Sequence, residues 1–291
     1  MFEQLGLVGC GLMGGSFALA LKRAGLVKRV VGFSPSETTT TRALQMGVID
    51  QIATSTSNAA SGSDLVLIAV PVSATEASFQ AIAHELRNNC LVMDVGSTKS
   101  DVLAAAKAAL GNKLAQFVPA HPIAGKEVAG VEHADVDLYT WCQVILTPTD
   151  LTDKTKLQQA TLVWQALGCK VRHMSATDHD AAFAAVSHLP HLLAFAFMNG
   201  ISNQKQRSEF LDLAGPGFRD FTRIAAGDPK VWRDIFLANS AEVLAQSQNF
   251  RSSLEALERA VLAGDSAAIE ALIAQASHLR AHWSLNGPSI Q

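Results

Sequence analysis

The first half of the chain alternates short apolar runs with stretches of helical character. Gln4 to Val8 predicts a strand, and Gly14 to Ala24 a helix. Arg29 to Phe33 predicts a second strand, Asp64 to Val70 a third and Leu91 to Val95 a fourth. An Ala-rich helix around Val102 to Leu110 follows. Gln143 to Thr147 and Lys170 to His173 predict two later strands, separated by a helix starting near Thr152. Near-continuous apolar strands between helices point to a parallel sheet covered on both faces.

The pattern changes after about Ser175, where no further strand is predicted. Pro190 interrupts a strongly apolar stretch, Ala182 to Met198, and is expected to break the helix there. Asp228-Pro229 has the form of an N-cap with proline at the first helical position. Trp232, Phe236, Val243, Leu244, Phe250, Leu254, Leu257 and Val261 then recur at roughly helical spacing, which predicts one long helix. Gly264-Asp265 closes it and caps the next, whose buried stripe is expected to be Ile269, Leu272, Ile273, Ala276 and Leu279. The expectation is an α/β domain over residues 1–174 and an all-α domain over 175–291.

Composition changes this picture little but removes several alternatives. At roughly 150 residues per domain, 291 residues suit two domains. An apolar share of 48% with 17% charged residues excludes a disordered chain or a coiled coil. The net charge of -3 gives no bulk attraction to nucleic acid or to an acidic membrane. Cys10, Cys90, Cys142 and Cys169 form no CxxC pair, so reduced, buried thiols in a cytoplasmic protein are expected. Leu5 to Leu21 carries no charge. It holds five glycines, is preceded by Glu3 where a signal peptide needs Lys or Arg, and falls short of the roughly 20 residues of a membrane span, so it is expected to be strand, turn and helix.

The turn is Gly9-Cys10-Gly11-Leu12-Met13-Gly14, which fits GxGxxG between a strand and a helix. Gly9 permits the tight turn, Gly11 lets the backbone approach a pyrophosphate, and Gly14 lets the helix pack on the strand. The helix N-terminus offers free N–H groups to the phosphates. Val70 and Pro71, at the end of the third strand, are assigned to the same cofactor site. An acid at the end of the second strand would bind a ribose 2′-hydroxyl and repel a 2′-phosphate. The chain has Ser34-Pro35-Ser36 there, with Thr38, Arg42 and Arg29 near in sequence, which favours NADP while leaving NAD possible.

Three strings carry chemistry: Asp94-Val95-Gly96-Ser97-Thr98-Lys99, His121-Pro122-Ile123-Ala124-Gly125-Lys126-Glu127, and Ser187-His188-Leu189-Pro190-His191. They precede Gly217-Phe218-Arg219-Asp220-Phe221-Thr222-Arg223-Ile224-Ala225 and Asp228-Pro229-Lys230-Val231-Trp232-Arg233. Together these resemble the prephenate/arogenate (cyclohexadienyl) dehydrogenase family of tyrosine biosynthesis over nearly the whole chain. The resemblance implies a Rossmann domain with a helical dimerisation domain, and an oxidative decarboxylation needing neither metal nor covalent nucleophile. Pro216 departs from a segment that is often all glycine in the family.

His121, expected in a loop at the carboxyl end of the sheet, fits the proton acceptor, because a neutral imidazole takes a proton near physiological pH. A loop histidine bonded only to backbone is the plainer alternative. Thr98 and Asp101 have capping-box spacing, which leaves Ser97 free of the cap. By resemblance Ser97 bonds the substrate hydroxyl or orients His121. Lys99 is a lesser participant, and Glu127 is assigned to a polar or gating network. His188 and His191, with His179 nearby, lack the pattern of a metal site. The resemblance gives His191 to the substrate and leaves His188 structural. Arg223 offers a planar fork for a carboxylate, with Arg219 for a second; both could equally be solvated and paired with Asp220 or Asp234. Trp232 lines the site, in its own subunit or its partner's, or is dimer core.

The leading expectation is oxidation of prephenate to 4-hydroxyphenylpyruvate by a cytoplasmic homodimer with an NAD(P) cofactor. Arogenate as substrate, a 3-hydroxyacid dehydrogenase using Lys99, and a non-catalytic NADP-binding module are the other readings.

Overall fold

The computed structural model describes residues 1–126 and 128–284. Six parallel strands, β1 (Phe2–Val8), β2 (Val27–Phe33), β3 (Gln51–Ile52), β4 (Leu65–Ile68), β5 (Leu91–Asp94) and β6 (Phe117–Val118), form one sheet in the order β3-β2-β1-β4-β5-β6. Its helices are α1 (Leu12–Arg23), α2 (Glu37–Gln45), α3 (Thr56–Ala60), α4 (Thr75–Ile82) and α5 (Ser100–Leu110). A second sheet, β7 (Ala120–Pro122), β8 (Gln143–Leu146) and β9 (Lys170–His173), pairs β7 antiparallel and β9 parallel to β8. Helix α6 (Lys154–Ala166) joins β8 to β9 and is capped by Asp153.

Alternation along the central strands explains the two-sided core. Leu5 and Leu7, Leu65 and Leu67, and Leu91 and Met93 face one apolar cluster with Phe17, Tyr139 and Trp164. Val8, Val66, Ile68 and Val92 face the other, with Phe79 and Phe117. A period of two places successive side chains on opposite faces, so strands buried on both sides read as continuous apolar runs. The strand order reverses between β1 and β4, which opens a crevice at their carboxyl ends. The free thiols of Cys142 and Cys169 lie 3.5 Å apart at the start of β8 and β9. Cys142 is half-buried; the other three cysteines are buried.

No strand follows His173 among the described residues. Helix α7 (Ala176–Phe183) is capped by Ser175, and α8 (Leu189–Ser202), α9 (Arg207–Asp212), α10 (Pro216–Thr222) and α11 (Pro229–Ala238) follow. Last come α12 (Ser240–Ala263) and α13 (Ser266–His282). The described chain divides into two compact units, Met1–Glu242 and a second beginning at Val243.

Four local expectations are corrected. His121 lies in β7, not in a loop, and pairs with Ile145 of β8. Pro190 does not break its helix, because a π turn at Ala184–His188 joins α7 to α8 and accommodates the missing N–H. The long helix after Pro229 is two helices, separated at Asn239, whose side chain bonds elsewhere. No residue of the last helix is buried: Ile269 and Leu272 are half-buried, while Ile273, Ala276 and Leu279 are exposed. Leu272, Ile273, Ala276 and Leu279 border an open cavity with Ala256 and Leu257 of α12.

Candidate active site

The glycine loop leads from β1 into α1. Gly9 adopts a φ of +97°, a region that L side chains seldom enter, and a Cβ there would collide with Ala69 of the β4 turn. A Cβ on Gly14 would strike the Gly9 carbonyl, so strand and helix close up only on glycine. Gly11 differs: a Cβ there meets no heavy atom within 4 Å, so its missing side chain leaves open space rather than a packed contact. It is also the N-cap of α1 and supplies no side-chain cap, so the first N–H groups of the helix remain available to an anion. These features fit a dinucleotide pyrophosphate. At the end of β2 the Ser34 hydroxyl accepts the Cys10 N–H at 2.8 Å, tying the loop to that strand. Ser36 is exposed, caps α2 and bonds the Thr38 hydroxyl at 2.8 Å.

Asp94, the last residue of β5, organises the next segment. It accepts from the Gly96 N–H at 2.8 Å, the Ala120 N–H at 2.9 Å and the Lys99 ammonium. Lys99 also donates to the Ala120 carbonyl at 2.9 Å and is fully buried. This pair pins the backbone next to His121, and burial of Lys99 leaves it no path to a substrate. The predicted capping box is absent. The N-cap of α5 is Lys99, with no side-chain cap of its own. Asp180 from α7 accepts the Lys99 N–H at 2.9 Å and the Ser100 N–H at 2.8 Å instead. Ser97 is half-buried, just ahead of this cap.

His121 is 8% exposed. Its Nδ1 lies 2.8 Å from His179 Nε2, and His179 Nδ1 lies 2.8 Å from Asp180 Oδ1. The Phe183 ring packs on both imidazoles. Burial, reinforced by the neighbouring His179, Lys99 and His188, holds the His121 pKa well below the ordinary value, so the ring is neutral. Burial also lowers that of His179, against the pull of Asp180.

The remaining predicted residues fall into two groups. His191 stacks on Trp232 with ring centroids 3.6 Å apart at 21°, and its Nδ1 donates to the Ser187 carbonyl at 2.8 Å. Trp232 is carried by α11, which Asp228 caps and Ser73 anchors: the Ser73 hydroxyl donates to Asp234 at 2.6 Å. His188 is buried, accepts from Asn239 at 3.1 Å, and is lowered to about 4 by burial. Arg219 on α10 is exposed and paired with Asp220 at 3.0 Å. Arg223, one residue past α10, is exposed in a 3-10 turn.

A cleft of about 350 Å³ gathers Gly11, Leu12, Met13, Val70 and Pro71 of the cofactor loops with Ser97 and Trp232. It does not include His121, His191, Arg219, Arg223, Ser34 or Ser36 among its lining residues. Glu127 lies outside the described residues. Among the described residues no cluster of three His, Cys, Asp or Glu is arranged to hold a metal. Sequence reasoning missed Asp94 and Asp180. An acid at the last position of an apolar strand was a usable signal for the first. No local signal showed that Asp180 would reach α5.

Comparison with known proteins identifies the family. Residues 17–173 match the family described as prephenate dehydrogenase, nucleotide-binding domain, and residues 175–275 match its dimerization domain. The chain is 35% identical to a prephenate dehydrogenase of Bacillus subtilis over 84% of its own length. That alignment spans 66% of the Bacillus protein, just under two thirds. It is 32% identical to a cyclohexadienyl dehydrogenase of Zymomonas mobilis, covering 91% of this chain and 90% of the relative. A crystal structure of prephenate dehydrogenase from A. aeolicus, in complex with hydroxyphenyl propionate and NAD+, is 34% identical. It matches with a TM-score of 0.89 over 96% of this chain and 97% of that one.

Proposed function

Because the chain belongs to the prephenate dehydrogenase family, we propose that it oxidatively decarboxylates prephenate to 4-hydroxyphenylpyruvate, using a nicotinamide cofactor held by the glycine loop. The observation that carries this reading is the buried, neutral His121 on a strand pinned by Asp94 and Lys99, with Ser97 in the cofactor cleft. The cofactor's chemistry, when bound, is to accept the hydride that leaves C4 of the substrate. His121 takes the proton of the 4-hydroxyl, and Ser97 bonds that hydroxyl or orients the imidazole. The ring carboxylate departs as carbon dioxide, the electron pair of the broken bond enters the ring, aromatisation drives the step, and the phenolate oxygen takes the proton back from His121.

Arg223 receives a substrate carboxylate, with Arg219 as a second cation once drawn from Asp220. His191 and its stacking partner Trp232 bind the substrate's other side. Gly9, Gly11, Leu12, Met13, Gly14, Val70 and Pro71 hold the dinucleotide. NADP is favoured over NAD because β2 ends without an acid, with Ser34 just after the strand and the bonded hydroxyls of Ser36 and Thr38 at the start of α2. The functional division falls at Ser175, and the helical part pairs two subunits in the cytoplasm. The exposed apolar residues Val186, Phe197, Leu213, Phe221 and Leu237 support that pairing.

The test is an absorbance assay of purified protein with prephenate or arogenate, each with NAD or NADP. Turnover with prephenate is expected, faster with NADP. Turnover with arogenate alone makes the protein an arogenate dehydrogenase. Silence in all four, from folded protein that binds NADP, overturns the reading.

A further inference from the structure

We propose that Asp180 and His179 are positioning residues for the proton acceptor, and that Asp180 holds both catalytic groups, His121 and the Ser97 turn, with one carboxylate. The inference rests on the reaction proposed above. It starts from three donors converging on Asp180: His179 Nδ1 at 2.8 Å, Lys99 N at 2.9 Å and Ser100 N at 2.8 Å.

The direction of every proton in this chain follows from Asp180. Burial works to raise its pKa, but the hydrogen bonds from His179, Ser100 and Lys99 outweigh it and hold the carboxyl below its ordinary range. An ionised carboxylate only accepts, so His179 Nδ1 carries a proton. A neutral His179 has no second proton, and its Nε2 must accept. His121 Nδ1 is therefore the donor in the 2.8 Å contact. A neutral His121 then has its lone pair on Nε2, because Nδ1 is the nitrogen that bonds His179. Without Asp180, either tautomer of each ring would satisfy the His–His contact, and half the arrangements would place a proton where the base must be empty.

The charges around His121 give the chain a second effect. Lys99 beside β5, His179 on α7 and His188 in the π turn all oppose an imidazolium. The carboxylates are Asp94, which is paired with Lys99, and Asp180. When His121 accepts the hydroxyl proton, its Nδ1–H points through His179 toward Asp180, the carboxylate not neutralised by the lysine. The same Asp180 replaces the missing local cap of α5, so Ser97 and His121 are referenced to one group although they lie on different segments.

The experiment compares Asp180→Asn and His179→Phe in the full chain. The second variant breaks the relay, leaves the α5 cap and keeps an aromatic ring against Phe183. Each should lower kcat about ten- to a hundredfold with KM changed less than about threefold. The double variant should lose little more than either alone. In Asp180→Asn the acid limb of kcat/KM should move to lower pH, because the imidazolium has lost its compensating charge. Nitrogen-15 spectra of the imidazoles should show His121 protonated on Nδ1 in the wild type and a tautomer mixture in both variants. A role limited to capping would lower the melting temperature of Asp180→Asn and leave kcat, the pH limb and His179→Phe unchanged; that result overturns the proposal. So does a wild-type His121 protonated on Nε2. If wild-type protein turns over neither prephenate nor arogenate, the proposed reaction fails and the relay's catalytic purpose with it. The spectra still decide its proton arrangement.

Discussion

Two helices of similar length show how differently the two parts of this molecule are stabilised. Eight of the twelve residues of α1 are buried, against the central sheet. Only Ala194 is buried among the fourteen of α8, although α8 is the more apolar of the two. The nucleotide-binding part completes its own core, with Leu and Val of every central strand covered on both faces. The helical part leaves Phe197, Phe221 and Leu237 at the surface. Apolar pattern alone therefore says that a face will be covered, not by which chain. The family that residues 175–275 match is a dimerization domain.

The largest expected effect lies where strand-borne and helix-borne groups meet. His121→Asn should cost about a hundred- to ten-thousandfold in turnover, with the dissociation constant for the cofactor kept within about twofold. Normal turnover would refute the assigned role. Within the glycine loop a pair of substitutions separates packing from binding. Gly14→Ala must move the Gly9 carbonyl and should cost about 1–3 kcal/mol of stability. Gly11→Ala has room for its methyl group, so its melting temperature should stay near wild type while cofactor affinity falls about tenfold or more. Equal loss of stability in both would undo the distinction.

The helical part responds differently. Leu237→Asp, at a 71% exposed position, should leave the monomer's secondary structure intact and shift the protein from dimer to monomer in sedimentation. A variant that stays dimeric would remove Leu237 from the contact. The smallest effect is on pH. His188 titrates near 4 in the folded chain and near about 6.5 when unfolded. The unfolded chain therefore takes up a proton first as pH falls below about 6.5, and stability is lost progressively down to about pH 4. The loss from this group is at most about 3 kcal/mol. His121 and His179 act in the same direction. Urea unfolding at pH 7.5 and 5 measures it, and equal midpoints would contradict a buried neutral His188.

Much of the candidate site was legible as residues. Gly9, Gly11 and Gly14 follow from the backbone demands of a strand-to-helix turn, and Asp228-Pro229 from those of a helix start. His121, Ser97, His191 and Arg223 stood out by type and motif. Their surroundings did not. Thr98 and Asp101 have the spacing of a local cap, yet Asp180, eighty residues on from Ser100, takes that place. Lys99 had the look of a possible catalytic amine until its burial against Asp94 removed it.

Sequence by itself determined what short-range physics controls: which strands are buried on both faces, where the chain turns on glycine, and which residues have the chemistry to move a proton or clamp a carboxylate. Tertiary structure alone decided which of these groups meet. It put His121 on a strand of a second sheet, aligned His179 and Asp180 behind it, and stacked His191 on Trp232. Hydrogen bonds are short and directional, whereas sequence separation places no limit on their partners. A pattern within ten residues fixes an element, but only the folded chain fixes what faces it.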